Sequence, residues 1–182
     1  MSILNFENFV MLQESVTSFT DDFDEIVTEG IAAALGNPIK FMKIKKAAKM
    51  YQQALVQKQL NDLDFEKKKA KGTLDPKQKE VLAQANKAKN SALSDKYSAI
   101  AQQMDDLATT DGLKQVVKLA KSKAKLAAAE IALKSAGDEE SAALKVRIKK
   151  LNTDTQEAQK ALSDYEKDTK KREPKTKQDT TK

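Results

Sequence analysis

Two kinds of side chain in this sequence could carry chemistry: paired carboxylates and a row of lysines. Adjacent acids occur at Asp21-Asp22, Asp105-Asp106 and Glu139-Glu140. Such pairs can share a proton for acid–base work or hold a divalent cation. All three fall at expected helix ends or joints, where acids cap backbone N–H groups, favour the helix dipole or sit in solvent, so capping is the expectation. Lys114, Lys118, Lys121 and Lys125 share one helical face, with Lys123 nearby and no acid between Leu113 and Ala129. That face is the best candidate for contact with nucleic-acid phosphates. The competing reading sets these lysines beside an apolar seam, against Asp95, Asp105 and Asp106 of another helix.

Other chemistries lack their residues. Cysteine and histidine are both absent, which removes thiol nucleophiles, imidazole bases, disulfides and the usual zinc or haem ligands. Five glycines, Gly30, Gly36, Gly72, Gly112 and Gly137, stand singly and form no phosphate-cradling loop. The net charge of +6 arises from 33 basic and 27 acidic residues, and the arginines are Arg147 and Arg172 alone. A chain so poor in arginine is ill suited to reading bases, so nucleic-acid contact would be nonspecific. The reading is therefore of a non-enzymatic chain with no catalytic, cofactor-binding or metal-ligating residues and no cofactor.

The elements that must position these groups are helices. Charged residues make up 33% and apolar ones 40%, with three prolines and no tryptophan, a balance typical of helical bundles and coiled coils. No uncharged apolar stretch approaches the ~20 residues that a membrane-spanning helix needs. Nor do the first residues resemble a secretory signal, since Glu7 interrupts them and no lysine precedes Lys40. Composition divides the chain into an aromatic, acidic front (1–37), a long hairpin (38–110), a second hairpin (111–168) and a basic polar tail (169–182).

In the front, Leu4, Phe6, Phe9, Val10 and Leu12 predict a short amphipathic helix. A second is expected from Asp22 to Leu35, capped by Asp21 or Asp22, with Phe23, Ile26, Val27, Ile31 and Ala34 on one side; Gly36 would end it and Pro38 open the next. From Pro38 to Lys71 no glycine or proline intervenes, and Phe41, Ile44, Ala48, Tyr51 and Leu55 follow 3,4,3,4 spacing before the seam shifts to Leu60 and Leu63. Asp75, Pro76 and Gln78 form a capping-box signature for the following helix. Its expected inner stripe is Val81, Ala85, Ala88, Ala92, Ile100, Met104 and Leu107. Thr109 to Gly112 marks the next joint, followed by a helix lined by Leu113, Val117, Ala120, Ala124, Ala127 and Ile131. After Asp138, which can cap it, the last helix carries a regular heptad of Leu144, Ile148, Leu151, Thr155, Ala158, Leu162 and Tyr165. Beyond Asp168 no apolar residue remains to offset the entropy of ordering, so a disordered tail is expected. The fold class read from these patterns is all-α: elongated antiparallel helical hairpins or a coiled coil, short amphipathic helices in front and a disordered C-terminal tail.

The first fifteen residues, Met1-Ser-Ile-Leu-Asn-Phe-Glu-Asn-Phe-Val-Met-Leu-Gln-Glu-Ser15, resemble the leader of internal head and prohead-core proteins of T-even-type tailed bacteriophages. In that family a small amphipathic helix precedes a Leu/Ile-x-Glu motif after which a prohead protease cuts, and Leu12-Gln13-Glu14 followed by Ser15 matches it. Unlike those leaders, this one has no early lysine. The resemblance implies a virion protein assembled within or against a capsid, found in the virion or the host cytoplasm.

Taken together, the expected activity is that of a structural or scaffolding protein, a phage virion or prohead component whose hairpins pair with other subunits as a homo-oligomer or larger assembly. Phe6, Phe9, Val10, Leu12 and Phe23 would dock a partner, and Leu144, Ile148, Leu151, Leu162 and Tyr165 would form a helix seam. Amphipathic spacing accounts equally for the front aromatics if they simply fasten their helix to the body. The alternative function is a nonspecific DNA-associated internal protein using the Lys114–Lys125 face and the basic tail residues Lys170, Lys171, Arg172, Lys175 and Lys177.

Overall fold

The protein is seen in a computed structural model that describes residues 6–27, 31, 35–70, 75–134, 136 and 138–172. Among the described residues there are five helices and no strand: α1 (Phe6–Ile26), α2 (Pro38–Ala70), α3 (Pro76–Leu107), α4 (Asp111–Leu133) and α5 (Asp138–Arg172). The all-α expectation is thereby met.

Helices α2, α3 and α4 start where local chemistry supplies partners for the unpaired N–H groups of the first turn. At α2, the Asn37 side chain accepts from the Lys40 backbone N–H at 3.0 Å, just after Gly36 turns the chain with φ 68°. At α3, the Asp75 carboxylate accepts from Gln78 N at 2.8 Å and the Gln78 side chain accepts from Asp75 N at 3.1 Å, so the capping box forms as read. At α4, Thr110 is the N-cap, and its hydroxyl accepts from Leu113 N.

Helices α2 and α3 form an antiparallel hairpin: Tyr51 meets Tyr97, whereas Asn61, farther along α2, meets Asn90, nearer the start of α3. At 33 residues α2 is a rod of about 50 Å. Helices α4 and α5 pair likewise, the beginning of α4 at Gly112 lying against Tyr165 near the end of α5. The two hairpins are joined by packing of α2 on α4, and α1 lies across both of these helices. One large buried cluster collects Phe19 and Phe23 of α1, Ile44 and Tyr51 of α2, Ile100 and Met104 of α3, Leu113, Val116 and Leu119 of α4, and Leu162 of α5. A smaller cluster, Val56, Leu60, Leu63 and Ile131, is covered by Met11, Leu12 and Ala127.

Several expectations are corrected. The first front helix runs on through residue 26, with no cap at Asp21, which is exposed in its interior; of the second, expected from Asp22 to Leu35, residues 28–30 and 32–34 lie outside the described residues. Leu12, Val16, Phe19 and Phe23 recur at 4,3,4 spacing, and the last three are buried, so one apolar stripe carries the helix across the supposed joint. In α3 the expected stripe is wrong over its first half: Val81, Ala85, Ala88 and Ala92 are exposed, while Leu82, Asn86, Asn90, Leu93 and Tyr97 are partly buried, ahead of buried Ile100 and Met104. Here Asn86 and Asn90 stand among the inward residues, so apolarity alone does not mark the inward face. Gly112 falls in the first turn of α4, at the expected joint, and is buried so closely that a Cβ there would come within 2.6 Å of Tyr165 Cε1 and 2.7 Å of Leu35 Cδ2. The last helix does not stop at Asp168; it runs to Arg172, helped by Lys170 pairing with Glu166 at 2.7 Å, and the rest of the expected tail lies outside the described residues. Gly30, Gly72 and Gly137 also lie outside them.

Candidate functional site

The surfaces that could act on another molecule are built from helix faces. The carboxylate pairs are committed to local bonds or open to solvent. Asp105 takes Lys121 Nζ on both oxygens at 2.7 Å, and Asp106 accepts from Gln102 at 2.9 Å. Asp21 and Glu140 are exposed, and the side chains of Asp22 and Glu139 lie outside the described ones. Among the described residues no group of three or more acids is placed to hold a metal ion.

The lysine face of α4 is divided. Lys121, half-buried, is tied to Asp105 of α3, and Lys114 bonds Asp111 one turn back at 2.9 Å. Lys118 and Lys125 are exposed. This places one of the expected acid partners, Asp105, where the seam reading puts it and leaves a face of mixed charge rather than an uninterrupted basic row.

The front residues divide too. Phe23 is 1% exposed, buried within the chain's own core, so as a partner-docking residue it is corrected. Val10 and Leu12 are half-buried, Leu12 against the Val56–Leu60–Leu63 cluster, and the side chains of Phe6 and Phe9 lie outside the described ones. Leu12-Gln13-Glu14-Ser15 sits inside α1, and the Ser15 hydroxyl accepts from Gln52 Nε2 at 2.7 Å. Gln52 is fully buried, and its Oε1, like that of Gln115, has no hydrogen-bond partner among the described residues. On α5 the heptad faces inward as spaced: Leu151, Thr155, Ala158 and Leu162 are buried, while Leu144, Ile148 and Tyr165 are half-buried. Thr155 is tolerated there because its hydroxyl donates to Leu151 O at 2.7 Å. The seam is filled from within the chain by α4.

Compared with known protein families, with curated proteins and with solved structures, the chain matches none of them.

Three features escaped the sequence reading. The first is a polar ladder in the outer part of the α2–α3 hairpin, where Asp62 accepts from Asn86 and Asn90, Asn90 in turn accepts from Asn61, and Asn61 accepts from Gln57 at 3.1 Å. Paired amides at inward positions set register, because a slip leaves them unsatisfied. The second is a groove of about 550 Å³ between α1 and α5, floored by α4. Met11, Phe19, Leu126 and Ile131 line it beside Glu14, Ser18, Glu130, Lys123 and Lys134, with the neutral Asn152, Gln156 and Gln159 on the α5 wall. The third is the outward face of α2, where Ile39 is 70% exposed, Met42 59% and Met50 41%, with Lys43, Lys46 and Lys49 exposed among them. Its signal was present in the sequence as apolar residues out of phase with the Phe41–Tyr51 seam.

Proposed function

We propose that this chain is a non-enzymatic structural protein that works by helix-to-helix assembly with other subunits. The observation that carries the reading is that large apolar side chains remain exposed on long helices, Ile39, Met42 and Met50 on α2, Val81 on α3 and Val146 on α5, although the core is well supplied from within the chain. Asp75, Asp105 and Asp62, by contrast, serve a cap, an ion pair and the hairpin ladder. Sedimentation velocity with circular dichroism tests it: concentration-dependent species larger than the monomer, with high helicity, are expected. A chain that stays monomeric at every concentration and ionic strength, alone and with its natural neighbours, overturns it.

The narrower reading, a virion or prohead component of a T-even-like phage, rests on the leader resemblance of residues 1–15. Cleavage after Glu14 would require α1 to open locally, since a protease cleft takes an extended strand and residues 12–15 are helical. The intact mass of the protein from its natural source decides this point. A chain beginning at Ser15 supports processing, and a retained Met1 removes it.

A second reading, nonspecific DNA association, is favoured by exposed Lys118 and Lys125 on one face of α4. It ranks lower because Asp105 and Asp111 neutralise their neighbours Lys121 and Lys114. Salt-dependent gel shifts that vanish with Lys118→Glu and Lys125→Glu would raise it, and no shift at low ionic strength would end it.

A further inference from the structure

The outward face of α2 and the exposed face of α1 beside the groove are opposite in charge. On α2, Ile39, Lys43, Lys46 and Met50 stand at i, i+4, i+7 and i+11, with Met42 and Lys49 beside them, a convex stripe about 16 Å long. On α1, Glu14, Ser18, Asp21 and Glu25 stand at the same i, i+4, i+7 and i+11 offsets and are all exposed, so this stripe has the same length. Glu14 and Ser18 form one lip of the groove, whose apolar lining includes Met11, Phe19 and Leu126. The sequence sorts its charges to match: no lysine or arginine precedes Lys40, and no acid falls between Glu29 and Asp62.

We propose that the Ile39–Met50 ridge of α2 on one copy seats against the α1 side of the groove on a second copy, apolar side chains toward the floor and Lys43, Lys46 and Lys49 against Glu14, Asp21 and Glu25. This rests on the assembly reading above and names its partner and surface. Within the groove lining Glu14 and Glu130 offset Lys123 and Lys134, so the negative sign of this surface comes from Asp21 and Glu25, exposed beyond the groove on α1. Ridge and groove are different surfaces of one chain, so unless a two-fold axis lets two copies exchange them reciprocally the contact is heterologous, and every bound copy still offers a free ridge at one end and a free groove at the other. Copies therefore add in series, closing into a ring only if the rotation between neighbours permits.

Charge exchange on the full-length chain tests it. One variant combines Lys43→Glu, Lys46→Glu and Lys49→Glu; the other combines Glu14→Lys, Asp21→Lys and Glu25→Lys. All six positions are exposed, and unchanged far-ultraviolet circular dichroism checks the fold, with glutamine at the three lysine positions as the milder substitute. Wild-type protein is expected to associate at low ionic strength and to dissociate in high salt. Each variant alone is expected to associate at least about tenfold more weakly, and an equimolar mixture of the two to regain association, because ridge and groove are then of opposite sign across every junction. If wild type associates and both variants do so equally well, this surface is wrong and the assembly reading survives. If wild type never associates under any condition, both fall. If the lysine variant loses binding to anionic lipid vesicles while wild type remains monomeric, the ridge faces a membrane and the proposal is overturned.

Discussion

Replacing Gly112 by alanine sets two effects of opposite sign against each other. Alanine gains up to about 1 kcal/mol over glycine inside a helix, and less in a first turn, where Gly112 sits. Against this, the new methyl would lie 2.6 Å from Tyr165 Cε1 and 2.7 Å from Leu35 Cδ2, where ordinary contacts are 3.4–4 Å. The neighbours must therefore retreat by nearly an ångström. Tyr165 is half-buried near the end of α5 and can swing outward, but Leu35 is 1% exposed and cannot. Overpacking of this kind costs about 1–3 kcal/mol, so the net expectation is a loss of about 1–2 kcal/mol. In a chain of this size that lowers Tm by about 2–8 °C in a calorimetric or circular-dichroism melt. Combining Gly112→Ala with Tyr165→Ala should cost less than the two changes measured singly, since truncating the ring removes half of the clash. A Gly112→Ala variant that melts above wild type would show helix propensity alone at work and refute the close approach of α5 to α4.

Asp62→Ala should destabilise the α2–α3 hairpin by about 1–2 kcal/mol in urea denaturation, because it leaves the Asn86 and Asn90 amides without their shared acceptor; Asp62→Asn should cost less. Asp75→Ala removes the capping box of α3 and should cost about 1 kcal/mol, read as a lower urea midpoint with an unchanged m value. The Tyr51 phenol is held above its usual value of 10.0 by burial, then by Tyr97 and the Asp105 carboxylate. The unfolded chain therefore ionises this group first, so its contribution to stability is intact below pH 10 and is lost as pH rises toward the folded value. Alkaline spectrophotometric titration should find Tyr51 ionising later than an unperturbed tyrosine, and Tyr51→Phe should make stability less steep above pH 10.

What was legible in the sequence had a local or strictly periodic cause. Asp75, Pro76 and Gln78 prescribe a helix start through bonds among themselves, and they make those bonds. The α5 heptad faces inward because apolar residues alone occupy most of its seam. In α3 the same logic chose the wrong face, since Asn86 and Asn90 point inward to Asp62 and leave Val81 outside, a pairing visible only once the hairpin brings residues 24 and 28 positions apart together. Position 112 read only as part of a joint, whereas its missing side chain also makes room for Tyr165 and Leu35, both remote in sequence. The surfaces were the least legible part. Ile39, Met42 and Met50 look like stray hydrophobes until the Phe41–Tyr51 face is seen to point the other way, and the groove exists only where α1, α4 and α5 converge.

The amide ladder has a further effect on how the molecule breathes. Toward Tyr51 and Tyr97 the α2–α3 hairpin is held by hydrocarbon and aromatic packing, but from Gln57 outward much of its cohesion comes from amides and one carboxylate that water can compete for. Fraying should therefore begin at that outer end and travel inward, exposing its backbone amides to deuterium while the aromatic end stays closed. Such a rod is stiff at its root and pliant at its tip, so its free end can adjust to an uneven surface without the whole fold letting go.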